Sequence, residues 1–289
     1  MMVTIESAGI TDIGRRRDQN EDSLIIDDGM GLYVVADGMG GHKAGEVASK
    51  LVVETIRDYI KQNQSDGQTE ELAKVDPSLS KEARQLLAGI HLSNRVVHQT
   101  SLSNEAYKGM GSTVSAVYFT NKTFIVANVG DSLIYLIRDG EIELLSVPHT
   151  LMAEQTKLDP ENAELLWSDF KHVLTRAMGV DASVKADINE VPFFKNDILV
   201  ISSDGLTDKA SPEEILELVY NSRSDKACRG LVDLANSRGG DDNITAIVLK
   251  VKSVGDETNG FMGRIKGILK PFFNTNSKRK ILKIRFSNA

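Results

Sequence analysis

Apolar residues in this chain gather in short runs with β-forming character. Residues 32–36, 113–119, 124–129, 133–138, 198–202 and 244–251 are rich in Val, Ile, Tyr and Thr, side chains that fit a pleated, half-buried surface. In several runs apolar and polar positions do not alternate, which predicts strands packed on both faces. Asn121-Lys122 and Arg138-Asp139-Gly140-Glu141 join consecutive runs and read as hairpin turns. The Asp-Gly pair is the stronger signal, because its turn needs positive φ. Elsewhere the period lengthens. Across 44–60, Val47, Leu51, Ile56 and Ile60 fall near helical spacing, and across 81–101 Leu86, Ile90 and Val97 do the same. The polar stretch 62–77 between them reads as a long loop. Ser211-Pro212-Glu213-Glu214 is a helix start, with Ser as cap, Pro at the first position and Glu at the third. Helices over 212–222 and 225–238 are expected to follow.

Composition narrows the class. Of 289 residues, 41% are hydrophobic, enough for a sizeable core, and Trp167 is the one Trp. A net charge of −7 argues against nucleic acid as a partner, since phosphate contacts need a basic surface. The single cysteine, Cys228, cannot form an internal disulfide. Residues 1–12 carry no basic region followed by an apolar run, and no stretch of 18 or more apolar residues occurs. A cytoplasmic monomer is the expectation. Residues 255–289 differ: eight Lys/Arg against two Asp/Glu give them +6, which leaves the preceding 254 residues at −13. The reading is a core domain over 1–254 and a basic tail over 255–289. The tail mixes apolar and basic residues at roughly helical spacing, which suits an anionic membrane surface or an acidic partner; a solvated tail after the last core strand and an edge strand over 281–286 are the alternatives.

The informative chemistry is an acidic residue at one strand end after another. The run 32–36 leads into Asp37-Gly38, 124–129 into Gly130-Asp131-Ser132, and 198–202 into Ser203-Asp204-Gly205. Asp241-Asp242-Asn243 precedes 244–251, and Asn20-Glu21-Asp22 precedes Ser23. Any one could be an ordinary turn. Five of them at one kind of boundary point to carboxylates converging on a sheet edge, where their repulsion calls for a divalent cation. All-oxygen ligands select hard ions such as Mg²⁺ or Mn²⁺. Gly38 and Gly205 are expected to allow a sharp turn or a close carbonyl approach.

Other phosphate chemistries fit poorly. A cysteine phosphatase needs Arg six residues after its Cys, and position 234 is Leu234. Gly38-Met-Gly-Gly-His-Lys43 is neither a dinucleotide fingerprint nor a P-loop. His91 and His98 share a face of one helix but stand about 10 Å apart, too far for one ion, and read as a solvated face.

Together the motifs resemble the metal-dependent protein phosphatases of type 2C, in their bacterial serine/threonine form. The matching segments are Gly14-Arg-Arg-Arg17-Asp-Gln-Asn20-Glu21-Asp22-Ser23, Ala36-Asp37-Gly38-Met39-Gly40-Gly41-His42 and Gly109-Met-Gly111-Ser112-Thr113. Ala127-Asn-Val-Gly130-Asp131-Ser132, Leu174-Thr-Arg-Ala-Met178-Gly179, Ser202-Ser-Asp204-Gly205-Leu206-Thr207-Asp208 and Gly240-Asp-Asp242-Asn243-Ile-Thr245 follow in the family's order. They cover roughly residues 3–252. The resemblance implies an α+β fold, a four-layer αββα sandwich of two antiparallel sheets flanked by helices, with a flap at about 150–172. It implies two Mn²⁺ or Mg²⁺ ions bridged by Asp37, with Asp204 and Asp242 on one and Glu21 and the Gly38 carbonyl on the other. Asp131 and Asp208 match a looser third-ion site. Asp22 would orient the attacking water, Arg17 would hold the substrate phosphate, and Asn243 would stand behind the ligands. The substrates implied are phosphoserine and phosphothreonine proteins, opposing a cognate Ser/Thr kinase. Two alternatives share much of this pattern: a partner-switching phosphatase for one phosphoserine regulator, and a catalytically silent phosphoprotein-binding relative. Two positions depart from the family. Met39 stands where many eukaryotic members have a His read as a general acid, with His42 three residues on. Pro148-His149-Thr150 replaces the usual Asp-His-Ser/Thr, which leaves the anchoring of the flap open.

Overall fold

The computed structural model describes residues 3–40, 43–63, 78–158 and 172–254. Eleven strands and six α-helices are named here in chain order. The strands are β1 (Thr4–Asp12), β2 (Asp22–Asp27), β3 (Leu32–Met39), β4 (Gly111–Ser112), β5 (Val114–Phe119), β6 (Thr123–Val129), β7 (Leu133–Arg138), β8 (Glu141–Leu144), β9 (Asp187–Pro192), β10 (Ile198–Ser202) and β11 (Ile244–Ser253). The helices are α1 (Lys43–Gln62), α2 (Lys81–Ser103), α3 (Leu151–Leu158), α4 (Asp204–Thr207), α5 (Pro212–Tyr220) and α6 (Ser224–Ser237).

Two antiparallel sheets result. One runs β1-β11-β10-β7-β8 and the other β2-β3-β5-β6-β9, with β4 paired to β3. Alternation within each strand builds the layers. In β3, Leu32, Val34 and Ala36 pack under α1 and α2, while Tyr33 and Val35 face the other sheet. In β10 and β11, Val200, Ala246 and Val248 pack on α5 and α6, while Leu199, Ile201, Ile247 and Leu249 fill the space between the sheets. The fold is therefore an αββα sandwich, and the unbroken apolar runs are strands buried on both faces, as expected. Arg138 fastens the far end of the sandwich. Its guanidinium donates to both carboxylate oxygens of Asp197 (2.8 and 2.7 Å) and to the Pro192 carbonyl, and lies 4.6 Å from the centre of the Phe194 ring.

Most predicted elements sit within two or three residues of their observed ends, and Ser211 makes the full reciprocal cap with Glu214. Asp139 and Gly140 take φ of 53° and 77° between β7 and β8, as the hairpin requires. Strands β1, β8 and β9 carry no strong apolar signature. Each is an edge strand, paired on one side only, and few of its side chains are fully buried. Residues 64–77 of the expected loop, 159–171 of the expected flap, and the tail lie outside the described residues, as do Trp167 and His42.

Candidate metal centre

The rows of side chains between the two sheets do not stay apolar to their ends. Leu24 and Ile26 share a face of β2 with Asp22, and Tyr33 and Val35 share a face of β3 with Asp37. Ile201 shares one with Ser203, and Ile247 with Thr245. The same parity that fills the core thus aims polar groups at one edge of it. Asp22 and Asp37 stand directly opposite each other across β2 and β3. The register makes them like-charged cross-strand neighbours, a destabilising pair unless something positive intervenes.

One cleft of about 610 Å³ gathers Arg17, Glu21, Asp37, Gly38, Asp131, Asp204, Asp242 and Asn243. Asp22 lies behind it. Its Oδ2 accepts from Ser203 Oγ (2.8 Å) and Thr245 Oγ1 (2.6 Å). Its Oδ1 and the Oδ1 of Asp204 are buried without a hydrogen-bond partner. Electrostatics follow from crowding. Burial, reinforced by the charges of Asp204 and Asp242, pushes Asp22 up to about 7. Burial and the charges of Asp22 and Asp204 drive Asp37 well above the carboxylate range. Asp131 is raised to about 7 by burial and by Asp204. For Asp204, burial pushes up, but hydrogen bonds with His172 and Asp37 bring it below its ordinary value. Two orphaned carboxylate oxygens in a ring of mutually repelling acids are what a divalent, all-oxygen site presents, so the donor set fits Mn²⁺ or Mg²⁺.

Backbone packing holds these groups. Neither Gly38 nor Gly205 has positive φ; Gly38 lies within β3, where the chain makes no sharp turn, and Gly205 stands where β10 gives way to α4. Each glycine is needed for close approach. A Cβ on Gly38 would lie 2.0 Å from the Gly45 carbonyl oxygen of α1, and one on Gly205 would lie 2.1 Å from the Asn243 carbonyl oxygen. Asn243 accepts from the Glu21 N–H (2.8 Å) and donates to the carbonyls of Ile13 and Gln19 (3.0 Å each), pinning the segment that carries Arg17 and Glu21. Thr113 Oγ1 accepts from the Asp37 N–H (2.9 Å), and the Thr113 N–H donates to the Asp37 carbonyl (2.8 Å).

Arg17 lines the cleft but is engaged there, donating from Nη2 to Asp242 Oδ2 at 2.7 Å. Asp242 raises its pKa further. Arg16, its neighbour, faces Asp241 instead at 3.9 Å. Asp208 caps α4 and stands 3.3 Å from His172 Nε2. His172, from the expected flap, is a residue that sequence reasoning did not assign. Its Nδ1 lies 3.6 Å from Asp204 Oδ2, and it clusters with Asp131 and Asp204. Only proximity in the fold reveals it. The hydroxyls of Thr113, Ser203 and Thr245 lay inside quoted motifs without a role, because their work depends on strand parity.

Two further readings change. The flap is fastened at its root by His149. The His149 N–H donates to the Gly130 carbonyl (2.9 Å), the Gly130 N–H donates to His149 Nδ1 (3.1 Å), and Nε2 sits beside Arg176 (3.1 Å) and Asp187 (3.4 Å). His98 is not a solvated helix residue, since its Nδ1 lies 3.0 Å from the Gly179 carbonyl oxygen.

A sandwich that gathers carboxylates at one inter-sheet edge is of the class built to hold divalent metal ions. The comparisons give the family: residues 14–244 match the family model described as Protein phosphatase 2C, and the chain belongs to that family. It is 33% identical over 245 residues to the serine/threonine phosphatase stp of Listeria welshimeri, covering 83% of this chain and 93% of that protein. It is 33% identical over 258 residues to the protein phosphatase PhpP of Streptococcus pneumoniae, covering 86% and 98%. Among solved structures, the Mycobacterium tuberculosis serine/threonine phosphatase PstP/Ppp superposes with a TM-score of 0.74 at 28% identity, covering 87% of this chain and all of that one. The catalytic domain of PstP in complex with two manganese ions superposes with a TM-score of 0.70 at 29% identity, covering 87% of this chain and 100% of that one. The chain is thus a protein phosphatase of the Mn²⁺- or Mg²⁺-dependent kind.

Proposed function

We propose that this cleft removes phosphate from phosphoserine and phosphothreonine side chains of proteins, reversing the action of a Ser/Thr kinase in the cytoplasm. The observation that carries the reading is the pair of buried, unpartnered oxygens on Asp22 and Asp204 within a cluster of acids that repel one another. Asp37, Asp204, Asp242, Glu21 and the Gly38 carbonyl would hold two divalent ions, with Asp131 and Asp208 serving a third. Ions bound there would supply Lewis acidity, generating a nucleophile from water at neutral pH and neutralising phosphoryl oxygens. Arg17 contributes a planar fork that can bind two phosphoryl oxygens. Its pairing with Asp242 holds the fork at the cleft mouth until substrate arrives. Asp22, kept in place by Ser203 and Thr245, orients the water from behind. All of the expected carboxylates are present, which favours a working enzyme over a silent relative.

The test is hydrolysis of p-nitrophenyl phosphate and of a phosphothreonine peptide, with and without a chelator. Turnover should vanish in chelator and return with added Mn²⁺. Undiminished turnover in excess chelator would overturn the metal reading.

Among the described residues no helix is long and apolar enough to cross a membrane. For residues 255–289 we propose a placement role, docking on an anionic membrane surface or an acidic partner. What supports this reading is the composition of the segment, eight Lys/Arg against two Asp/Glu with apolar residues among them.

A further inference from the structure

Beside its acids the cleft is lined by Met39, Leu174, Ala177 and Val180, apolar side chains in a site whose chemistry calls for charge. Val180 leaves 53% of its surface exposed, yet the backbone on either side of it is held firmly. Asn94 of α2 is 1% exposed. Its Oδ1 accepts from the Gly179 N–H (2.8 Å), and its Nδ2 donates to the Asp181 carbonyl (3.0 Å). His98 reaches the Gly179 carbonyl from the same helix. Gly179 has φ of 82°, and a Cβ there would lie 2.2 Å from Val97 Cγ1, so the turn sits directly on α2. A buried asparagine therefore spends its whole amide on fixing the residues that flank an exposed valine.

Met39 and Val180 both overhang the bare backbone of Gly111. A Cβ on Gly111 would lie 2.6 Å from Met39 Cε and 3.2 Å from Val180 Cγ2. The two side chains and the glycine between them form a shelf continuous with the metal centre, and the exposed Asp181 lines the same cleft. A shelf fixed before binding loses little ordering entropy when it is covered, and methionine adapts to differing apolar shapes.

We propose that this shelf selects phosphoproteins with an apolar side chain next to the phosphorylated residue, while Asp181 disfavours acidic neighbours. The inference rests on the reading that the cleft takes phosphoproteins, and it names which ones. The occupant is the flanking residue of the substrate, because the shelf opens into the cleft that receives the phosphate.

The experiment uses the full chain with Mn²⁺ and three phosphothreonine peptides that differ only in having Leu, Ala or Asp beside the phosphothreonine. For the wild type kcat/KM should fall in that order, with Leu over Asp by about tenfold. Val180→Ser should compress the ratio to about twofold, and Val180→Ile should keep it. The ratio is read within one enzyme preparation, so a change in overall rate does not affect it. Equal kcat/KM for the three peptides with wild type, or an unchanged ratio in Val180→Ser, would overturn the shelf. Turnover of p-nitrophenyl phosphate with no turnover of any peptide would instead overturn the phosphoprotein reading, and the shelf with it.

Discussion

Asp22 and Asp131 are ordinary carboxylic acids in sequence, and their surroundings make them extraordinary bases. Both are pushed up to about 7 by burial and neighbouring acids, against about 3.9 in an unfolded chain. Between those values the folded, chelated protein holds protons that the unfolded chain has released, so stability falls as pH rises. The chelated protein should therefore show a lower Tm at about pH 8 than at about pH 6, and saturating Mn²⁺ should raise the Tm most at the higher pH. Differential scanning calorimetry with and without chelator checks both. Asp131→Asn removes one of the repelling charges. It should raise the Tm of the chelated protein at neutral pH while slowing turnover, with two tight Mn²⁺ still counted by calorimetric titration. Loss of both ions would place Asp131 in the main centre. Asp37 feels the charges of Asp22, Asp204, Asp131 and Asp242, and Asp37→Asn removes the shared ligand of the proposed centre. It should lower turnover about a hundredfold or more and reduce the Mn²⁺ count.

Between β6 and α3, one histidine carries most of the local architecture. His149 takes the Gly130 N–H at its ring and gives its own N–H to the Gly130 carbonyl, so the loop bearing Asp131 and the root of the flap are one piece. His149→Ala leaves a buried N–H without an acceptor, which should cost about 1–3 kcal/mol, read as a lower midpoint in urea with an unchanged slope. It should also weaken any third ion, because Asp131 follows Gly130 directly. None of this coupling was legible in the sequence, where Pro148-His149-Thr150 read only as a departure from a motif. What was legible shares a physical origin. Central strands such as β3, β10 and β11 announce themselves because both faces are apolar, and acids such as Asp37 and Asp204 stand out because they end those runs. Edge strands β1 and β9 pack on both faces but hold few fully buried side chains, and polar residues interrupt their apolar runs, so the signal is lost. Hydroxyls at Ser203 and Thr245 look like any strand residue until parity and pairing turn them toward Asp22, and His172 acquires meaning only when the chain returns to Asp204 and Asp208.

At the scale of the whole molecule, the described residues of the four layers contain all the residues assigned to the centre, and residues 255–289 follow them in sequence. Ending the chain at residue 254 should leave kcat/KM on p-nitrophenyl phosphate within about twofold, since β11 closes at Ser253, while sedimentation with anionic vesicles or turnover of a phosphoprotein falls. Loss of small-ester turnover would mean that the tail packs on the core. The placement of β11 also sets an order in time. It is the last strand among the described residues, yet it lies between β1, the first, and β10. A ribosome adding about 5–20 residues per second takes on the order of ten seconds or more to go from β1 to β11. The helices and strands of the other sheet can assemble meanwhile, but the cluster that holds Tyr33, Val35, Phe119 and Phe124 is completed only when Ile247, Leu249 and Val251 of β11 arrive. The sheet whose strand β10 leads into Asp204 therefore lacks an inner strand until the end of synthesis, and the acids of the centre gather only once translation has passed Asp242.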